Sequence, residues 1–261
     1  MYLGIDLGTS GVKVVLMDEH GSIVASCSRG LVVSRMKPLW SEQNPLDWWS
    51  ATVDAIDELS QQHDLSMVKC IGLSGQMHGA TVLGENGEVL RPAILWNDGR
   101  CSAECDQLEA TVKEAREITG NIVMPGFTAP KLLWVKNHEP ENFTKVKKVL
   151  LPKDYLRFLL TGTYGSDMSD AAGTCWLDVK NRCWSEPMLT ATGLDLSHMP
   201  TLFEGSDITG ELLETLAQQW GMKSVPVVAG AGDNAAGAIG LGIVEALGVY
   251  YRKPWWVYRQ L

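Results

Sequence analysis

The chain has 261 residues, 45% of them hydrophobic, and a formal charge of −9 at pH 7. That length holds one large domain or two ordinary ones, and the acidic balance argues against nucleic acid as the main partner, which needs a basic face. No apolar run reaches a membrane span, and no charged stretch followed by an apolar core opens the chain, so a cytoplasmic protein with its six cysteines reduced is expected.

Leu3, Ile5 and Leu7 alternate with smaller or polar residues, the period of a half-buried strand. Gly8-Thr9-Ser10-Gly11 then forces a tight turn, and a second β-rich run follows at 12–17. Residues 1–34 read as β-hairpins, with a turn at 19–22. Asn44-Pro45 starts a helix, Asn as cap and Pro in the first turn, running through Leu59. A short apolar strand at 68–73 leads into Ser74-Gly75-Gln76-Met77-His78-Gly79. Strands are expected at 80–83 and 89–95, one helix over 101–118, and helices near 129–137, 152–161, 185–191 and 211–219. A buried strand at 225–229 ends in Gly230-Ala231-Gly232-Asp233-Asn234, and a helix opens at 235–240. Strands first, then strands mixed with helices, predict an α/β layered domain with a mixed sheet flanked by helices.

Some segments carry chemistry. Asp6 sits near a strand end beside a turn of glycines and hydroxyls, which can face phosphate oxygens. It could hold magnesium through water, since magnesium sheds its waters reluctantly; an ordinary hairpin is the competing reading. Asp233 lies in a glycine-flanked turn after a buried strand, where open α/β sheets bind ligands. It reads either as a general base for a hydroxyl or as a helix N-cap. Gln76, Met77 and His78 offer polar groups beside an apolar one, as a sugar site needs. Trp96-Asn97-Asp98-Gly99-Arg100 combines an aromatic platform, an amide, an acid and a base, or is a turn with a surface ion pair. Cys101 and Cys105 have helical spacing without a matching pair, and the five histidines are scattered, so no zinc site is expected.

In order along residues 1–245, these segments resemble the FGGY family of carbohydrate kinases. The segments are residues 4–13, Gly75-Gln76-Met77-His78-Gly79, residues 96–100, the family's first signature at 126–138, residues 166–174, and Gly232-Asp233-Asn234-Ala235-Ala236-Gly237. The resemblance implies the ribonuclease H-like fold shared with actin, hexokinase and the heat-shock ATPases. Residues 1–245 would be the N-terminal sugar-binding domain. It implies Asp233 as the base that takes the sugar hydroxyl proton. Asp6 would sit near Mg2+, and Gly8, Thr9, Ser10, Gly11 and Lys13 would bind the phosphate of ATP. Gln76, Met77, His78, Asp233 and Asn234 would contact the sugar, with Trp96, Asn97 and Asp98 close by. Gln-Met-His-Gly resembles the members that phosphorylate D-xylulose to D-xylulose 5-phosphate, and the Arg-Glu pair of glycerol kinases is missing. The alternatives are a ribulose or gluconate kinase, a non-catalytic sugar-binding remnant, or a structural piece paired with another chain. A homodimer is a further expectation of the likeness.

The resemblance stops near Glu245. Residues 246–261 contain no acid, carry Arg252, Lys253 and Arg259, and are rich in aromatics. The expectation is a non-family tail in place of the C-terminal ATP-binding domain, and so an impaired enzyme. Trp255-Trp256 can only be encoded TGG-TGG, which one base later begins GGT-GGN, two glycines, so a frameshift is expected and the gene sequence tests it.

Overall fold

A computed structural model describes residues 1–243. The expectation for the tail at 246–261 concerns residues outside that range. A seven-stranded mixed sheet forms the centre. Its order is Ile208–Glu211, Pro226–Val228, Ile71–Gly75, Tyr2–Leu7, Gly11–Met17 and Ile23–Gly30, with Ala231–Gly232 also paired to Ile71–Gly75. Tyr2–Leu7, Gly11–Met17 and Ile23–Gly30 run antiparallel through tight turns. Tyr2–Leu7, Ile71–Gly75, Pro226–Val228 and Ala231–Gly232 pair in parallel.

The period-2 pattern of the first strand decides which face is buried. Leu3, Ile5 and Leu7 are buried while Tyr2 and Asp6 are exposed. Val12, Val14 and Leu16 continue the apolar face, which packs on Trp48, Ile56 and Leu59 of the helix Pro45–Gln62 and on Tyr155, Leu156 and Leu160 of the helix Pro152–Thr161. Truncating a buried Trp such as Trp48 to Ala costs about 3–5 kcal/mol. A second core gathers Phe127, Leu132, Leu133, Val135, Trp176, Met188 and Leu189. The mixed sheet with flanking helices is the expected fold class.

Some boundaries differ from the sequence reading. The helix expected over 101–118 is two helices, Ser102–Thr111 and Ala115–Thr119, because Val112 leaves helical geometry and buries its side chain. The last helix begins at Asp233, ahead of 235, with Gly232 at the cap. Asp233 is therefore the first helical residue, and the N-cap role falls to its neighbour. Lys148–Leu150, Gly165–Asp167, Thr201–Phe203 and Ile208–Glu211 are strands without a sequence expectation. Each is short, and the first three pair outside the main sheet, so no long alternating run marks them. Among the described residues no helix is long and apolar enough to cross a membrane.

Gly230 is required by two independent restraints. Its φ is +72°, and a Cβ there would lie 1.9 Å from the Leu73 carbonyl oxygen. Gly21 has φ +82° but open space around it. Gly21→Ala then carries only the left-handed penalty of about 1–2 kcal/mol. Gly230→Ala adds a clash worth about 1–3 kcal/mol more. Urea denaturation of both variants checks this, with the larger midpoint drop expected for Gly230→Ala.

Candidate active site

The candidate residues meet at one edge of the sheet because parallel strands end there in register. Leu7 pairs with Gly75, and Gly75 pairs with Gly232. One row back, Asp6 pairs with Ser74, and Ser74 with Ala231. The residues that leave this row are Gly8-Thr9-Ser10-Gly11, Gln76-Met77-His78, and Asp233-Asn234. Neighbouring strands lie about 4.8 Å apart, so Asp6 and the Asp233 turn are about 10 Å apart across the sheet.

The turn after Asp6 is closed by Gly8 N–H donating to the Gly11 carbonyl at 2.9 Å. Asp6 and Lys13 are direct cross-strand partners and both are exposed, so their side chains share one face. Asp233 is exposed, and its Oδ1 accepts from the Asn234 backbone N–H at 2.8 Å. Asn234 Nδ2 reaches Met77 Sδ at 3.7 Å. A Cβ on Gly232 would lie 2.8 Å from Met77 Cγ, so the absent side chain is what lets Met77 approach the Asp233 turn.

His78 is 3% exposed, with a left-handed φ of 68°. Its carbonyl accepts from Lys131 Nζ at 2.9 Å and from Thr128 Oγ1 at 3.2 Å. Lys131 also donates to the Gly126 carbonyl at 2.6 Å. The ring meets Phe127 edge-on at 5.1 Å, and Nδ1 lies 2.6 Å from the Gly173 carbonyl, so Nδ1 carries the proton. Burial, then the nearby Lys131, pulls the imidazole down to about 3. Burial likewise pulls Lys131 down to about 7.

The structure places the other expected residues differently from one another. Gln76 is 1% exposed, and its amide bonds Gln43 and Thr9. Trp96 is half-exposed and donates to Thr9 Oγ1 at 2.9 Å. Asp98 is buried and held by Arg100 at 2.7 Å and by the Ser41 N–H at 2.6 Å. That ion pair, which one of the two sequence readings put at the surface, is closed over by Trp40, whose ring lies 3.6 Å from the Arg100 guanidinium. Asn97 is exposed and lines a separate groove of about 450 Å³ with residues 35–41.

Sequence reasoning missed a buried charge cluster beneath the Asp233 turn. Lys153 contacts Asp154 at 2.7 Å, Asp167 at 2.6 Å and Asp170 at 3.1 Å, all buried. Arg157 donates to Thr209 Oγ1 at 2.8 Å, to the Val228 carbonyl at 2.9 Å and to the Ala229 carbonyl. These bonds clamp the strand that delivers Asp233. Burial raises Asp170 well above its ordinary value, with Asp167 and Asp154 adding to the rise against Lys153. Burial opposes the charge of Asp167 too, but Lys153 and the hydroxyl of Ser169 hold it ionised. Charged residues in an amphipathic helix read as its solvated face, so nothing in the sequence marked this one as interior. Among the described residues no group of three or more His, Cys, Asp or Glu side chains could hold a metal ion. The exposed lone carboxylate of Asp6 suits a magnesium ion that keeps most of its waters, and does not suit an all-protein cage.

Lys153→Met leaves buried carboxylates without their cation and is expected to cost about 3–5 kcal/mol. Urea denaturation at neutral pH reads this, and a loss under 1 kcal/mol (~1) would count against a load on Lys153. The His78 imidazole stays neutral down to about 3, against 6.5 for an ordinary histidine. Between those values the unfolded chain binds the extra proton. Its contribution is thus fully present above pH 6.5 and falls by about 1.4 kcal/mol per pH unit below it, down to pH 3. Asn tolerates a left-handed backbone, so His78→Asn should flatten the fall in stability on acidification by about one proton. Denaturation of both proteins at several pH values checks it, and parallel curves would contradict it.

Known proteins share this fold. A family model described as the FGGY family of carbohydrate kinases, N-terminal domain, matches residues 1–240. The chain is 63% identical over 246 residues to the xylulose kinase of Escherichia coli K12, covering 94% of this chain and 51% of that protein. It is 59% identical to the xylulose kinase of Klebsiella pneumoniae, with the same coverage. A crystal structure described as a xyloylose kinase from Brucella ovis superposes with a TM-score of 0.92 at 54% identity, covering 94% of this chain and 51% of that one. The gluconate kinase of Lactobacillus acidophilus gives 0.84 at 28% identity, covering 90% and 48%. The chain spans about half the length of the curated relatives it matches. With strand ends, glycine turns and family match in agreement over residues 1–240, the chain belongs to the FGGY family of carbohydrate kinases.

Proposed function

We propose that this chain is the sugar-binding half of a kinase that transfers a phosphoryl group from ATP to D-xylulose, giving D-xylulose 5-phosphate. The register row Leu7–Gly75–Gly232 carries the reading, because it brings an exposed carboxylate, a hydroxyl turn and a second exposed carboxylate to one edge. The name of the 63% identical relative supports the choice of sugar.

Phosphoryl transfer asks for positioning and charge stabilisation more than covalent chemistry. Asp233, the first residue of its helix, accepts the proton of the attacking sugar hydroxyl. Asn234 and Met77, already in contact, form the wall beside it. His78 supports that wall from behind as a neutral, buried ring. The turn at 8–11, with Ser10 and Thr9 at its tip, and Lys13 meet the phosphate. Asp6, on the same face as Lys13, would hold a Mg2+ ion that keeps its waters. Bound Mg2+–ATP supplies the transferable phosphoryl group and neutralises its charge. Asn97 and Asp98 stand outside the sugar shell in this reading, the first beside another groove and the second within a buried ion pair. A cytoplasmic homodimer completes the proposal, and sedimentation at several concentrations tests the dimer.

Calorimetry with D-xylulose, L-ribulose, gluconate and glycerol, without nucleotide, tests the substrate. D-xylulose is expected to bind most tightly; binding of L-ribulose or gluconate in its place moves the reading to that kinase. A coupled ADP-release assay with the same chain measures turnover. Asp233→Asn is expected to lower turnover by about 10²–10⁴-fold, the usual share of a general base, with sugar affinity nearly unchanged. Sugar binding with no turnover would leave the chain a binding role alone.

A further inference from the structure

A continuous hydrogen-bonded chain joins the phosphate turn to the exposed indole of Trp96. Trp48 Nε1 donates to Gln43 Oε1 at 3.0 Å. Gln76 Nε2 donates to the same oxygen at 3.0 Å. Thr9 Oγ1 donates to Gln76 Oε1 at 3.0 Å and accepts from Trp96 Nε1 at 2.9 Å. Gln43 Nε2 donates to the Thr9 carbonyl at 2.8 Å.

The polarity of this chain has no freedom. An indole N–H can only donate, so Trp48 fixes the oxygen of Gln43 toward itself. That oxygen then takes the amide nitrogen of Gln76, which turns the Gln76 oxygen to Thr9. Thr9 must donate to it, and its single hydroxyl hydrogen is thereby committed. The remaining lone pairs face the second donor-only group, the Trp96 indole. Trp48 is fully buried and Gln76 nearly so, while Trp96 is 48% exposed. A rigid interior end therefore holds a half-exposed aromatic plate at the sheet edge.

We propose that Thr9 is a positioning residue whose hydroxyl locks the Trp96 indole as a wall of the sugar site. The inference rests on the sugar-kinase reading above. It makes Gln76 a strut, with no direct hold on the sugar. It also ties sugar contact on Trp96 to the order of the turn that meets phosphate.

Thr9→Val keeps the shape and removes the hydroxyl, while Thr9→Ser keeps the hydroxyl. D-xylulose binding is measured by calorimetry with no nucleotide present. Thr9→Val is expected to weaken it about 5- to 10-fold, the scale of one hydrogen bond, and Thr9→Ser to restore it to within about 2-fold. A hydroxyl that served phosphate alone would leave nucleotide-free sugar binding unchanged in both variants, and that result overturns the proposal. A second readout needs no sugar. The Trp96 indole proton, assigned by its loss in Trp96→Phe, should exchange slowly with solvent in the parent and in Thr9→Ser, and fast in Thr9→Val. Equal exchange in the three overturns the link even if D-xylulose binds. If the parent chain does not bind D-xylulose, the kinase reading fails, and the indole exchange still decides the link. Should Thr9→Val not fold, Trp96→Phe removes the donor from the exposed end and keeps the Thr9–Gln76 bond; unchanged sugar affinity there is the contrary outcome.

Discussion

Parallel pairing at the carboxyl ends of three strands is the constraint on which the rest depends. Ile71–Gly75 accepts Tyr2–Leu7 on one side and Ala231–Gly232 on the other, and the pairs end in the same row. A slip of one residue would reverse every side chain across the sheet. Asp6 would then point into the core and Leu7 to solvent. The apolar packing of Leu3, Ile5 and Leu7 against Trp48, Tyr155 and Leu156 opposes such a slip. Core packing thereby fixes where the two exposed carboxylates stand.

Polar groups buried beneath that edge do a different job from those displayed on it. Lys153, Arg157 and the carboxylates around them contribute little net stability by Coulomb attraction, because desolvating ions offsets most of the gain. Their bonds to the Val228 and Ala229 carbonyls hold the strand that ends at Asp233. Lys131 acts likewise on the other loop, bonding the His78 and Gly126 carbonyls from a fully buried position. A left-handed histidine is costly, and surrounding bonds must impose it. The donors of Lys131 and Thr128 on the His78 carbonyl meet that requirement.

Much of the framework was legible in the sequence because its signals are local. Period-2 alternation marked the first strands, and Asn44-Pro45 marked a helix start whose cap bond is present at 3.2 Å. Glycines flanking Asp6 and Asp233 marked the turns. The break near Val112 escaped, since it arises from where one side chain finds burial and leaves no helix-stop residue. Gln43 and Lys131 escaped for a related reason: each acts through partners dozens of residues away. Gln43 meets Gln76 across 33 positions, and Lys131 meets His78 across 53.

Sequence alone determined the strand and turn chemistry, the polar pairs at the turns and the family likeness, because these depend on neighbours along the chain. Tertiary structure decided which of those residues face the open edge and which are consumed inside. Gln76 and Asp98, polar and motif-bound, are buried and bonded to the protein, while Asp6 and Asp233 are exposed. Hydrogen-bond satisfaction in a low-dielectric interior makes that division, and only the three-dimensional pairing supplies the partners.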